Sequence, residues 1–220
     1  MDKPRSVRFP LVGEWQFLRP PGHHQFAFDF VRLANGRLHD AGRLQHWFGS
    51  VAAERYPGWG QPVAAPVAGV VLHCAGDWPD HLRNSLGQTM RRWYHATYRF
   101  RPKPKDGFYD IRPNAGNYVM IQTEAGYVVF LAHLKQHSVA VTPGDVIQEG
   151  QYVGRVGNSG NSTAPHLHIN LFDQMDDALR AQVLPFVFHS FQESDGRGAW
   201  VDRFAALPAV KSLVRSVSDT

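Results

Sequence analysis

Cysteine is nearly absent from this chain. Cys74 stands alone among 220 residues, which excludes an internal disulfide and a cysteine-based zinc cluster. Long apolar runs are missing too. No stretch approaches the ~20 apolar residues that a membrane-spanning helix needs, so stable membrane insertion is not expected. The first ten residues, Met1 to Pro10, carry basic side chains with no apolar run behind them of the kind a secretory leader has. Net charge is small: Lys+Arg 23 against Asp+Glu 19 leaves +4. That is far from the dense basic stripe of a nucleic-acid binder, and no nucleic-acid partner is expected. At 43% apolar and 19% charged residues, the composition excludes disorder and suffices for a core.

Turn residues and histidine are what the chain has in quantity. Twenty glycines and fifteen prolines point to many turns and mostly β structure. Apolar runs of strand length fall at Phe26 to Leu33, Val63 to Leu72, Tyr118 to Gln122, Tyr127 to Leu131, Val139 to Val141, Tyr152 to Val156 and His166 to Leu171. Turn signals such as Glu124-Ala125-Gly126 and Pro143-Gly144-Asp145 separate them. The spacing predicts a mainly β chain built on an antiparallel sheet or sandwich core. Residues 1–22 read as an N-terminal arm packed on the domain. Leu44, Trp47, Phe48 and Val51 recur at helical spacing within Asp40 to Tyr56, predicting a short helix there. Residues 75–116 break the strand rhythm with Leu86, Met90, Trp93, Tyr94 and Tyr98 at helical spacing, so a helical insertion is expected, followed by extended chain at 101–105. Such a long insertion is expected to wall or cover a functional groove. A tail over 199–220 is expected to form a helix from Phe204 to Val217, kinked near Pro208.

Twelve histidines are many, and imidazole is both the commonest metal ligand and the side chain that titrates near neutrality. The sharpest signal is His166-Leu167-His168. On a strand, residues two apart face the same side, so both imidazoles project onto one surface. One can then bind a metal while the other reaches its water. Taken alone, the pattern is equally that of two exposed histidines on a strand edge. Asp29, between Phe28 and Phe30, is a costly charge on an apolar strand unless it is paired or bound to metal.

The context of this pair extends from Pro143-Gly144-Asp145 through Glu149-Gly150-Gln151, Val153-Gly154 and Gly157-Asn158-Ser159-Gly160 to the histidine strand. Upstream lie Ala132-His133-Leu134, Pro62-Val63 to Gly69-Val70-Val71, and Ala27-Phe28-Asp29. In these stretches the sequence resembles the lysostaphin-type, LytM-like zinc metallopeptidases that cut peptidoglycan. The resemblance is strong over 117–172, clear over 59–72, loose over 23–33, and absent from the insertion and the tail. It implies a duplicated-hybrid-motif-like fold for residues 23–198 and one Zn2+ per chain. It also implies a peptidoglycan peptide or other peptide as substrate. His168, Asp29 and either His23 or His24 would be zinc ligands, and His133 and His166 the catalytic pair. Two imidazoles and a carboxylate suit zinc and leave one position open. The family usually spaces its first ligands H-x-x-x-D, whereas His24 and His23 stand five and six residues before Asp29. On an extended segment only the even separation shares a face, which favours His23; His24 would need a bulge. A wall substrate would place the protein in the periplasm or outside the cell, whereas the bare sequence reads as cytoplasmic.

Gly157-Asn158-Ser159-Gly160 faintly resembles the nucleophile loop of trypsin-like proteases but lacks the Asp before the Ser. Biotinyl and lipoyl carrier domains share the Pro143-to-Gly154 pattern, yet no lysine lies between Lys135 and Lys211 to accept the group. A phosphocarrier with facing histidines is a further class. The stronger alternative is a non-catalytic LytM-like domain that binds cell-wall peptide or a partner hydrolase. Cys74 reads as core, and the cluster Arg91, Arg92, Arg99, Arg101, Lys103 and Lys105 as a solvated face.

Overall fold

The computed structural model describes residues 4–42, 45, 49–101, 103–105, 108–175, 181–196 and 198–217. One twelve-stranded sheet organises them. Its strands are β1 (Arg5–Val7), β2 (Trp15–Leu18), β3 (Phe28–Val31), β4 (Gly69–Ala75), β5 (Asn117–Gln122), β6 (Val128–Leu134), β7 (Val146–Ile147), β8 (Leu167–Phe172), β9 (Val183–Leu184), β10 (Phe186–Ser194), β11 (Val201–Ala206) and β12 (Leu213–Arg215). The main path runs β1-β10-β12-β2-β3-β8-β6-β5-β4-β7, with β9 beside β8 and β11 beside β10. Smaller two-stranded pieces pair Pro62–Ala64 with Tyr152–Arg155 and Val51–Ala52 with Arg83–Asn84.

The central strands β8, β6 and β5 read as nearly continuous apolar runs because both of their faces are covered. Alternation sorts the side chains. Val119, Ile121, Val129, Leu131, Leu167, Ile169 and Leu171 face the main core, where Phe9, Phe17, Phe28, Phe30, Phe186, Phe188 and Phe191 gather. Edge-to-face packing of Phe9 on Phe30 at 5.1 Å and on Phe188 at 5.5 Å adds orientation to the area buried there. Tyr118, Met120, Val128, Phe130 and Ala132 belong to a second apolar cluster with Ile111, Phe172 and Met175. The functional residues sit on that second face.

The mainly β class holds, and the strands differ from expectation in instructive ways. The sheet is mixed, since β1 runs parallel to β10. The expected N-terminal arm is part of the sheet: β1 and β2 each pair within it, and Val7, Trp15 and Phe17 are buried. Val63 to Leu72 splits into two strands, and Val139 to Val141 forms none. The helix expected over Phe204 to Val217 is absent. Pairing of β11 and β12 with β10 overrides the helical spacing there, through Arg203 to Glu193 at 2.8 Å and Gln192 to Asp202 at 2.8 Å. Leu44, Trp47 and Phe48, which carried the expected helix near residue 45, lie outside the described residues; Val51 is in a strand.

The insertion is helical as expected. Helix α1 (Leu86–Tyr94) starts at Ser85, whose side chain and that of Gln88 form a reciprocal capping box, satisfying donors that every helix start leaves open. A wider turn over His95–Arg99 prolongs it. A short helix α2 (Arg112–Ala115), with Pro113 in its first turn, returns the chain to β5.

Gly157 shows how tightly the loop before β8 is held. Its N–H donates to the His133 carbonyl at 3.0 Å, and a Cβ there would run into the backbone of Leu134 and Lys135. Gly157→Ala is therefore expected to cost about 1–3 kcal/mol by overpacking. Urea unfolding of the variant checks this, and an unchanged midpoint would contradict the close approach.

Candidate active site

Strand register sets the first two site residues side by side. Asp29 on β3 stands directly opposite His168 on β8, and His168 opposite Ala132 on β6. Both project onto the face away from the phenylalanine core because Phe28, Phe30, Leu167 and Ile169 take the other side. The contact is close: His168 Nδ1 lies 2.8 Å from Asp29 Oδ1.

His23 arrives by a different route. Residues 20–27 form successive turns, with the His23 N–H on the Pro20 carbonyl at 3.2 Å and the Ala27 N–H on the His24 carbonyl at 3.0 Å. The chain is not extended there, so the parity that favoured His23 does not operate. The turns nevertheless bring His23 Nε2 to 3.4 Å from Asp29 Oδ2. His24 lines the same cavity, but its ring turns to the Phe26 N–H, at 3.3 Å from Nδ1. The group of potential metal donors is His23, Asp29 and His168, with ligand atoms all within 4.8 Å of one another; His24 is outside it.

Asp29 is 4% exposed. Burial opposes its charge, but His166, His168 and His23 around it hold the carboxyl well below the usual range. His23 is pulled the opposite way to an isolated buried imidazole. Burial works against its charged form, and the Asp29 carboxylate more than offsets this, raising its pKa.

His168 is sandwiched between two oxygens, Asp29 Oδ1 at 2.8 Å and Asn170 Oδ1 at 3.1 Å. A neutral imidazole donates through one nitrogen only. With Nε2–H on the Asn170 oxygen, the Nδ1 lone pair faces a carboxylate oxygen, an arrangement that a cation between them relieves. Two imidazoles and a carboxylate are the donor set zinc prefers in sites that keep an open position. The residues fit a zinc ion.

His166 and His133 complete the cluster and are both held as neutral bases. His166 Nδ1 lies 2.7 Å from the Ala164 carbonyl and 3.1 Å from Ser162 Oγ. His133 Nδ1 lies 2.9 Å from the Ser159 carbonyl. A carbonyl only accepts, so each Nδ1 carries the proton and each Nε2 presents a lone pair. Burial lowers the pKa of both, that of His133 well below the ordinary value. The two rings stand 4.6 Å apart, and His166 Nε2 is 3.5 Å from Asp29 Oδ2. His133 has φ of 61°, a left-handed conformation unusual for a residue with a side chain, where β6 meets the loop at 157–160.

The structure adds supporting residues that spacing did not single out. Both oxygens of Asp80 accept backbone N–H groups, from Asn158 and from Gln136, each at 2.7 Å. His81 Nε2 bonds the Gly160 carbonyl at 2.7 Å, and Arg92 donates to the Ser162 carbonyl at 2.6 Å. Asn117 donates to the Trp78 and Leu134 carbonyls, while its own N–H bonds Ser159 Oγ. Residues of the insertion, with Asn117 of β5, thus clamp the loop whose carbonyls orient His133 and His166. The expected wall is present as well, since Trp93, Phe100 and Ile111 line the cavity. No sequence signal distinguishes Asp80 from other acidic residues of a turn; its role exists only once two distant backbone segments converge on it.

The decoys resolve structurally. Ser159 Oγ donates to the Leu134 carbonyl at 2.7 Å in a buried setting, a structural bond rather than a nucleophile's. Cys74 donates to the Val141 carbonyl at 3.4 Å and burial pushes its thiol pKa up, opposite to a reactive thiol.

Residues 107–179, about a third of the chain, match the model of Peptidase family M23, which bears out the resemblance seen in the motifs. Among curated proteins, 59 residues are 42% identical to the peptidoglycan DD-endopeptidase ShyA of Vibrio cholerae, covering 27% of this chain and 13% of that protein. Another 73-residue match, 32% identical, is to the peptidoglycan DD-endopeptidase ShyB of the same organism, covering 32% of this chain and 17% of that protein. The matches thus span less than a fifth of those relatives. Solved structures that resemble the fold include a zinc-containing peptidase from Vibrio cholerae, at 18% identity, 82% of this chain, 39% of that one and a TM-score of 0.43. The catalytic domain of lysostaphin from Staphylococcus simulans matches at 17% identity, 81% of this chain, 88% of that one and a TM-score of 0.40. Scores this low place no residue, and the site rests on its own geometry. Among the described residues no helix is long and apolar enough to cross a membrane.

The buried imidazoles make the metal-free protein sensitive to acid. His133 and His166 have folded-state pKa values below the ~6.5 of an unfolded chain. The unfolded state therefore takes up protons first, and stability present above pH ~6.5 falls as pH drops. His23, shifted upward, opposes this in part. Chelator-treated protein should melt at lower temperature at pH 5.5 than at pH 7.5, and His133→Gln with His166→Gln should shrink the difference. An undiminished slope in the double variant would contradict neutral burial of the pair.

Proposed function

We propose that this protein is a zinc metalloendopeptidase that hydrolyses peptide bonds, with peptidoglycan cross-links or stem peptides as its substrate class. The observation that carries the reading is the convergence of three metal donors, His23, Asp29 and His168, with two neutral imidazoles on one cavity. The names of the matched relatives support the wall-peptide substrate, and that substrate would place the protein at the cell wall or in the periplasm.

His23, Asp29 and His168 would hold one zinc ion. Bound there, it would supply a Lewis acid for the scissile carbonyl and for water. The remaining steps belong to side chains. A lone pair on Nε2 of His133 or His166 accepts the proton of the attacking water, its ring fixed by the carbonyl behind Nδ1. Once protonated, that imidazole can return the proton to the leaving amine. Only the ring that has taken this proton can donate to the developing oxyanion; its neighbour, 4.6 Å away between ring centres, stays a neutral acceptor. Depressed pKa values keep both rings unprotonated at pH 7 before reaction.

The second reading is a non-catalytic domain that binds wall peptide or a partner hydrolase. It requires a peptide groove and no functioning centre. The donor triad and both bases being present together favours the enzyme.

Elemental analysis and a hydrolysis assay on purified peptidoglycan test the assignment together. The protein should carry one zinc per chain. His168→Ala and His23→Ala should lose zinc and hydrolysis. His24→Ala should retain zinc. His133→Ala and His166→Ala should keep zinc and lose turnover by ~10²-fold or more. Zinc near zero that cannot be restored would sink the enzyme reading, and loss of zinc from His166→Ala would reverse the two roles.

A further inference from the structure

Charge is spread unevenly along this chain. Residues 81–105 hold seven of the 23 basic residues and none of the 19 acidic ones. The other 16 basic residues stand against 19 acidic ones, so the rest of the chain is net negative, at −3. The positive excess therefore belongs to the insertion. Helix α1 and the wider turn after it run through this segment. Arg91, Arg99 and Arg101 are exposed there, and among the described residues neither Arg91 nor Arg99 has an acidic partner. Arg92 turns inward instead, to the Ser162 carbonyl.

The same helix carries its apolar side outward. Leu86, Met90, Trp93 and Tyr94 recur at helical spacing, the pattern of a face that normally packs on a core. Yet no residue of Leu86–Tyr94 is buried; Met90 is 62% exposed, Tyr94 53% and Tyr98 57%. The rings hold one another, Tyr98 meeting Tyr94 at 5.3 Å and Trp93 edge-on at 6.0 Å. Trp93 also lines the cavity that holds the histidines. The exposed face therefore begins at the rim of the candidate active site, and a ligand too long for the cavity has this face beside it.

We propose that this basic, aromatic face is a docking surface for the anionic wall strand that carries the peptide under attack, outside the cavity where the bond is cut. The inference rests on the peptidase reading for its substrate class. Peptidoglycan joins carboxylate-bearing peptides to a sugar strand, and the face offers a partner to each part. Arginine pairs with carboxylates. Exposed rings cover the apolar faces of sugars and remove that surface from water. The net negative remainder of the chain repels the same polymer and so steers it to the insertion. A bilayer of anionic lipid would meet the same charges and rings. Trp93 decides between them, because its place on the cavity rim joins the face to whatever fills the cavity.

The test compares the full chain with two variants, Tyr94→Ala and the pair Arg91→Glu with Arg99→Glu. Chelator-treated protein is sedimented with insoluble peptidoglycan. Zinc-loaded protein is assayed on that polymer and on short soluble wall peptides that fill the cavity alone. Each variant should bind the polymer ~10-fold or more weakly, and wild-type binding should weaken as salt rises. Hydrolysis of the polymer should fall with binding, while the short peptides are cut at the wild-type rate. Arg91→Gln with Arg99→Gln serves should the charge reversal fail to fold. Unchanged polymer binding in folded variants overturns the docking surface, as does an equal fall on polymer and short peptides. Wall binding left intact while wild-type binding to vesicles of anionic lipid is lost in the variants would assign the face to a membrane, and overturns it too. Wild-type protein that cuts short peptides but does not sediment with the polymer overturns the docking surface and leaves the peptidase reading standing. Variant-sensitive wall binding without cleavage by any form retains the docking surface and overturns the peptidase reading.

Discussion

A carboxylate buried to 4% exposure on an apolar strand is the constraint around which this molecule is arranged. Left alone, Asp29 would be protonated or would destabilise β3. Three imidazoles meet it instead, from His168 across the strand pair, His23 from a turn, and His166 from the start of β8. Each approach depends on a different level of structure. The His168 contact follows from strand register alone, whereas the other two need loops to hold their rings in place.

That second requirement explains the insertion. Residues 157–164 supply the carbonyl and hydroxyl partners of His133 and His166, and such a loop could not orient two rings without fixing itself first. Asp80, His81, Arg92 and Asn114 satisfy its backbone groups, and the Asn117 N–H holds the Ser159 hydroxyl. Asp80 shows the energetic tension. Burial raises its pKa, against the two backbone N–H groups it accepts, so the carboxylate is retained for its geometry rather than its solvation. These bonds tie the insertion to the loop behind the site, so it does more than cover the cavity.

Much of the fold was legible, and the misses have physical causes. Strands β5, β6 and β8 announced themselves because a sheet covered on both faces needs uninterrupted apolar residues. The tail misled because Phe204, Val214 and their neighbours satisfy helical spacing, while the decisive pairing partner, β10, is close in sequence to β11 and adds ladder bonds that a spacing argument cannot weigh. The N-terminal segment misled in the same way. Arg5–Val7 is too short to show alternation, and it is a strand only because β10 lies beside it in parallel.

The histidine strand, Asp29 on its apolar run, the Ala-His-Leu motif and the turn-rich approach were determined by the sequence itself, because two-residue periodicity fixes which side chains share a face. Which of His23 and His24 turns its ring to Asp29 was not. It fell to hydrogen-bonded turns at 20–27, which set direction by backbone geometry rather than by counting. Tertiary structure alone also decided the tautomer of His133, whose carbonyl partner is 26 residues away, whereas that of His166 follows from the local turn that offers the Ala164 carbonyl. A side chain's identity carries its chemistry, but its protonation and aim are properties of the neighbours that folding brings to it.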